Sequence, residues 1–138
     1  MTKHESLMRD FKEILQTIPR INKASFGTHV PVSQETTFAS VYILPGADTY
    51  QIRKIGTGIS SYDNSFFIRC IVNEDCTENE LQWCDTRNAI IEAILADSGL
   101  WTVVVDRDIT SVIYDDMNTS PKMTMELLFE FNLREDCE

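Results

Sequence analysis

The sequence predicts an α+β domain: a mostly antiparallel sheet of about five to six strands with two main helices packed on it. Three observations predict it. Residues 5–18 repeat their apolar positions at helical spacing, residues 81–95 do so again, and the segments around them alternate or fill both faces in the manner of strands. With 138 residues, residues 1–138 read as a single domain, large enough to bury roughly two-thirds of its unfolded surface without a metal or disulfide staple.

In the first helix Leu7, Phe11, Ile14, Leu15 and Ile18 share one face, and Pro19 stops it. Residues 20–36 show no sustained period and read as an extended or loop segment. Residues 37–44 (TFASVYIL) read as a strand that closes in a turn at Pro45, Gly46, Ala47 and Asp48. Tyr50 and Ile52 begin a second strand, and Gly56, Gly58, Ser60 and Ser61 suggest a long hairpin with a mobile tip. Residues 65–72 (SFFIRCIV) are apolar on both faces, which suggests a central strand or a second buried surface. Thr77 and Glu80 form a capping box before a second helix carrying Leu81, Cys84, Asn88, Ile91 and Leu95, flanked by Trp83, Arg87, Ile90 and Ile94, with Gly99 at its end. Residues 100–105 (LWTVVV) form a strand, and residues 109–114 continue it or pair with it after the polar break Asp106, Arg107 and Asp108. Residues 115–121 are a loop. The last strand is the cleanest: Met123, Met125, Leu127, Phe129, Phe131 and Leu133 alternate with Thr124, Glu126, Leu128, Glu130, Asn132 and Arg134.

Twelve basic against 22 acidic side chains give a net charge of −10, which argues against binding that collects nucleic-acid phosphates or anionic lipid. The charge is uneven. Residues 1–72 hold eight basic and six acidic side chains, a net +2, and residues 73–138 hold four and sixteen, a net −12. The opening Met1 to Ser6 has no apolar run behind it, and no apolar stretch reaches membrane-spanning length, so neither a secretory signal nor a spanning helix is expected.

Cys70, Cys76, Cys84 and Cys137 lack zinc-knuckle spacing and read as reduced thiols. His4 and His29 have no second feature that makes either a base for a cysteine nucleophile. Phosphate-cradling glycine motifs, nucleophile elbows and the paired-histidine zinc motif do not occur in the sequence. Asp106 and Asp108, with Asp115 and Asp116, are the best candidates for a divalent cation or an acid/base pair, and polar turn residues between strands are the better reading of both clusters. No enzymatic activity, cofactor or metal is expected.

Taken in order, the amphipathic helix, the connector, SVYILPGADTYQ, the glycine-bearing hairpin, FFIRCIVNED, ENELQWCDTRNAIIEAIL, LWTVVV and PKMTMELLFEFNL resemble the tail terminator proteins of tailed bacteriophages, also called tail-completion or tail-tube terminator proteins. The resemblance implies a virion protein, assembled in the host cytoplasm, that forms a hexameric ring at the head-proximal end of the tail. Such a ring caps the tail tube, ends its polymerisation and offers a joining surface to a head-side neck or head-completion protein, while DNA passes through the bore without specific binding. The irregular segments are where binding tends to reside. Asp48, Tyr50, Ile52, Ile55, Ile59 and Tyr62 on the hairpin are therefore the candidate contact residues, and Glu126 and Glu130 the candidate acidic lining of the bore. A small dimeric ligand-binding or regulatory module is the competing reading.

Overall fold

The computed structural model describes residues 2–27, 39–55, 58–76, 79–96, 104–114 and 122–136. The elements run α1 (Lys3–Gln16), β1 (Ile21–Phe26), β2 (Ala39–Ile55), β3 (Gly58–Asp75), α2 (Gln82–Ala96), β4 (Val104–Tyr114) and β5 (Lys122–Asp136). They form one sheet in the order β1-β2-β3-β5-β4, antiparallel except for the parallel β1/β2 pair. This is the α+β architecture expected from the sequence.

Thr2 starts α1, its hydroxyl accepting the Glu5 N–H at 3.1 Å. Leu7, Phe11, Ile14 and Leu15 are buried on the face expected of them, and Ile18 is buried just beyond the helix end. The Phe11 ring lies edge-on to Phe129 and Phe131, with centroids 5.5 and 5.9 Å away. α2 adds Ile90 and Ile94 to the same core, so both helices cover one face of the sheet. The alternation in β5 holds from Met125 on: Met125, Leu127, Phe129 and Phe131 are buried opposite Val72, Cys70, Ile68 and Phe66 of β3, Leu133 is buried opposite Asn64, and Met123 is half-buried.

Three expectations are corrected, and of the two readings open for 109–114 the continuation of one strand holds. The connector at 20–36 contains a strand, β1, with residues 28–36 outside the described residues. Its buried residues Ile21 and Ala24 are three apart because a register shift between Ile21 and Lys23 breaks the alternation. Pro45 to Asp48 make no turn, since β2 runs straight through them. Pro45 follows the last β1 partner, Ile43, where β2 has become an edge that tolerates proline. Gly46 is the bulged residue, and a Cβ there would sit 3.2 Å from both Phe67 Cβ and Arg69 Cγ.

The second helix starts at Gln82, later than the capping box implied. Asn79 lies ahead of it, with its side chain accepting the Leu81 N–H at 3.2 Å, and Thr77 and Glu78 lie outside the described residues. Its buried face centres on Thr86, Ile90 and Ile94, leaving Leu81 and Asn88 exposed. Finally, β4 is continuous through Asp106, Arg107 and Asp108. Arg107 donates from Nε and Nη2 to the Leu95 carbonyl at 3.2 and 3.0 Å, supplying one of the orphan acceptors at the end of α2. Residues 97–103 and 115–121, including Gly99, Asp115 and Asp116, lie outside the described residues.

One buried polar group joins three elements. Glu74 of β3 is 2% exposed, and its Oε1 accepts from Thr86 Oγ1 at 2.7 Å and from Gln82 Nε2 at 2.9 Å. Arg20, just before β1, donates to Thr86 Oγ1 at 3.2 Å and to the Gln82 carbonyl at 3.3 Å. These bonds hold β1, β3 and α2 in one arrangement through a polar residue in the middle of an apolar helix face.

Candidate assembly surfaces

β2 and β3 form a long hairpin, the arm, whose last few residues extend past β5. The two strands pair from Ser40 opposite Asn73 to Ile55 opposite Gly58, confirming the hairpin and lengthening it; the tip at 56–57 lies outside the described residues. β1 accompanies β2 only as far as Ile43, and β5 accompanies β3 only as far as Ser61. Among the described residues, β2 therefore has no strand beside its outer edge from 44 to 55. Gly27 ends β1: its N–H reaches the Ile43 carbonyl at 3.1 Å and its φ of 87° takes the chain off β2, a conformation that favours glycine.

The arm is braced at its root. Asn64 is fully buried, and its Nδ2 donates to Asp48 Oδ1 at 3.0 Å and to the Thr49 carbonyl at 3.1 Å, which leaves its Oδ1 as an acceptor. His4 Nε2 lies 2.7 Å from that oxygen and 3.1 Å from Asp48 Oδ1. Both neighbours accept, so Nε2 carries the hydrogen. The His4 ring also meets Phe66 edge-on at 4.8 Å. The first turn of α1 thus fixes the direction in which the arm leaves the domain. Beside the free edge runs a groove of about 860 Å³, bounded by Met8, Phe26, Ile43 and Leu44, with the Lys12 ammonium 4.9 Å above the Phe26 ring.

Of the hairpin candidates, Asp48 belongs to this root and Tyr50 is 56% exposed opposite Asn64. Ile52 pairs with Tyr62, Ile59 with Lys54, and Ile55 with Gly58, all toward the far end of the arm; the side chains of 52–62 lie outside the described residues.

The second surface is the sheet face opposite the helices. Phe67, Leu128 and Ile113 stand on it around a groove of about 360 Å³, and Ile113 is 60% exposed. Glu126 is held there by an ion pair with Arg69 on the neighbouring strand, whose guanidinium pKa that carboxylate raises. Glu130 stands directly opposite Asp108, and Asp106 opposite Asn132, so the β4/β5 side of the face is acidic. Like charges placed directly across a ladder oppose folding. The two candidate lumen residues therefore differ: Glu126 is neutralised by Arg69, whereas Glu130 adds to an acidic patch that sequence reasoning read as turn residues.

Asp106 and Asp108 each accept the N–H of the following residue, at 2.9 and 2.8 Å. Among the described residues no three His, Cys, Asp or Glu side chains gather closely enough to hold a metal ion. Cys70, Cys76 and Cys84 are free thiols, and burial pushes the first two above the ordinary thiol range, with Glu74 adding to the shift at Cys76. Among the described residues no helix is long and apolar enough to cross a membrane.

No family model and no curated protein matches the chain. Among solved structures it is similar to a chain in the virion of a native gene transfer agent particle, with 16% sequence identity and a TM-score of 0.42 over 96% of this chain and 91% of that one. Likeness at this level leaves the functional argument to the chain's own residues.

Proposed function

We propose that this chain is a virion structural protein of the tail-terminator type, acting by shape and self-association without chemical turnover. The observation that carries the reading is the hairpin: it is rooted by the His4, Asp48 and Asn64 bonds, and among the described residues no strand lies beside its outer edge from 44 to 55 and no helix covers the opposite sheet face. A chain with two different unsatisfied surfaces is suited to head-to-tail contacts, which generate rings when the rotation closes. The resemblance in element order to tail terminators supplies the rest: a ring, hexameric in that family, that caps a tail tube, stops its growth and meets a head-side protein. The β2 edge suits pairing with a strand of a neighbouring protein, and the net negative charge suits a ring through which DNA slides without adhering.

Negative-stain microscopy of tail tubes mixed with the purified chain tests this. One cap at one end of each tube, with tube growth halted, is the expected result. A discrete two-fold dimer that leaves tubes bare would contradict it and favour the ligand-binding module.

A further inference from the structure

Phe26 is a half-exposed aromatic on the side of the molecule where cations outnumber carboxylates. It ends β1 on the helix side of the sheet, beside Ile43, and is 48% exposed. The Lys12 ammonium stands 4.9 Å above its ring, and exposed Arg9 lines the same surface, together with Glu5 and Glu13. Residues 2–27 hold five cations and three carboxylates, a net +2 in a chain of net −10. An aromatic ring left in water beside an arginine has the composition of a contact between proteins.

The open sheet face offers the converse. Asp106, Asp108, Ser111 and Ile113 of β4 stand opposite Asn132, Glu130, Leu128 and Glu126 of β5, and Phe67 of β3 stands opposite Glu130, so all of them belong to the face away from the helices. Phe67, Leu128 and exposed Ile113 bound an apolar groove of about 360 Å³. A cavity of about 150 Å³ accepts benzene, so this groove has room for a phenyl ring. The Arg69 and Glu126 pair beside it is neutral, whereas on its other side Asp108 faces Glu130 and Asp106 is exposed beyond them. Phe26 cannot reach this groove in its own molecule, because it lies on the other face, in the strand at the opposite end of the sheet from β4.

We propose that the Phe26 ring of one copy seats in the open-face groove of a second copy, with Lys12 and Arg9 against Asp108 and Glu130. Charge selects a second copy as the occupant. Residues 73–138 carry a net −12, so two copies repel unless the cationic side of one meets the acidic face of the other. The incoming cations also relieve the repulsion between Asp108 and Glu130 that each isolated subunit carries. Donor and receiver surfaces differ, so the contact is head-to-tail and repeats around a ring when the rotation closes. It moves Glu130 from the lining of a bore to a contact between subunits. This inference deepens the assembly reading and rests on it for the ring.

The test uses the full chain and reads mass by light scattering at low salt. Phe26→Ala removes a half-exposed ring and is expected to weaken association at least about 10-fold. Charge reversal on either surface, Arg9→Glu with Lys12→Glu or Asp108→Lys with Glu130→Lys, sets like charges face to face and is expected to cost at least about 100-fold. Mixing the two reversed variants restores association, because each reversed surface then meets its complement. Thermal melts check folding, and the milder Arg9→Gln with Lys12→Gln and Asp108→Asn with Glu130→Gln replace a variant that does not fold, with a smaller loss and no rescue on mixing. A wild type that stays monomeric at its solubility limit, association unchanged by Phe26→Ala or by either reversal, or a mixture of reversed variants that stays dissociated overturns the contact. The terminator reading is scored separately: rings that Phe26→Ala disperses but that ignore tubes support the contact and overturn that reading, while capping that survives Phe26→Ala and both reversals does the opposite.

Discussion

Thr86→Val probes the polar joint between β1, β3 and α2 with a side chain of nearly the same shape. The substitution removes the 2.7 Å bond that Thr86 donates to the buried Glu74 carboxylate and the 3.2 Å bond it accepts from Arg20. A hydrogen bond to a charged group contributes about 1.5–3 kcal/mol, and the carboxylate left behind is 2% exposed, so little water can replace the lost donor. The expected cost is about 2–4 kcal/mol. For a domain of this length each kcal/mol corresponds to about 3.5 °C, which predicts a fall in Tm of about 7–14 °C by calorimetry or circular dichroism. The same substitution in a Glu74→Gln background removes a bond to a neutral amide instead and should cost only about 1 kcal/mol. The coupling from this double-mutant cycle is therefore about 1 kcal/mol or more. A single-variant cost below about 0.5 kcal/mol, or equal costs in both backgrounds, would refute the reasoning.

Other expectations follow from single sites. Thiol labelling of the native protein at neutral pH, read by peptide mass, should leave Cys70 and Cys76 unmodified, because both are buried and their pKa values are pushed up; labelling of Cys70 without unfolding contradicts this. Partial burial, and after it the nearby Glu13, raise the pKa of Asp10, so the fold disfavours its charged form. That penalty is present above the folded-state pKa and vanishes in acid, where both states are protonated. Asp10→Asn should thus raise Tm at neutral pH with a gain that disappears as the pH falls, and a gain that grows toward acid would show the sign to be wrong. Gly46→Val places a branched side chain where a Cβ already lies 3.2 Å from Phe67 Cβ, and should cost about 1–3 kcal/mol in a denaturant titration; an unchanged midpoint argues against the bulge.

What could be read in the sequence was what one face decides. β5 and α1 were legible because each presents a single uninterrupted stripe to the core. β1 was not, because its bulge separates Ile21 from Ala24 by an odd number of steps. Pro45 and Gly46 have the composition of a turn, yet where β1 has ended the same residues make a proline-tolerant edge and a bulge pressed against Phe67. The face of α2 was displaced because Thr86 is buried by hydrogen bonds to residues outside the helix, a contribution that apolar periodicity does not register. The candidate surfaces divide the same way. The hairpin was visible from its glycines and flanking β-formers, whereas the neutralisation of Glu126 by Arg69 and the placing of Glu130 against Asp108 depend on strand register between distant segments.

The central claim, that this chain assembles head-to-tail into a ring, is tested most directly by the mass and shape of the purified protein alone and after mixing with tail tubes. A ring-forming chain gives rings, and a single ring-shaped cap at one end of each tube. A compact monomer or a two-fold dimer that leaves tube ends bare would contradict it.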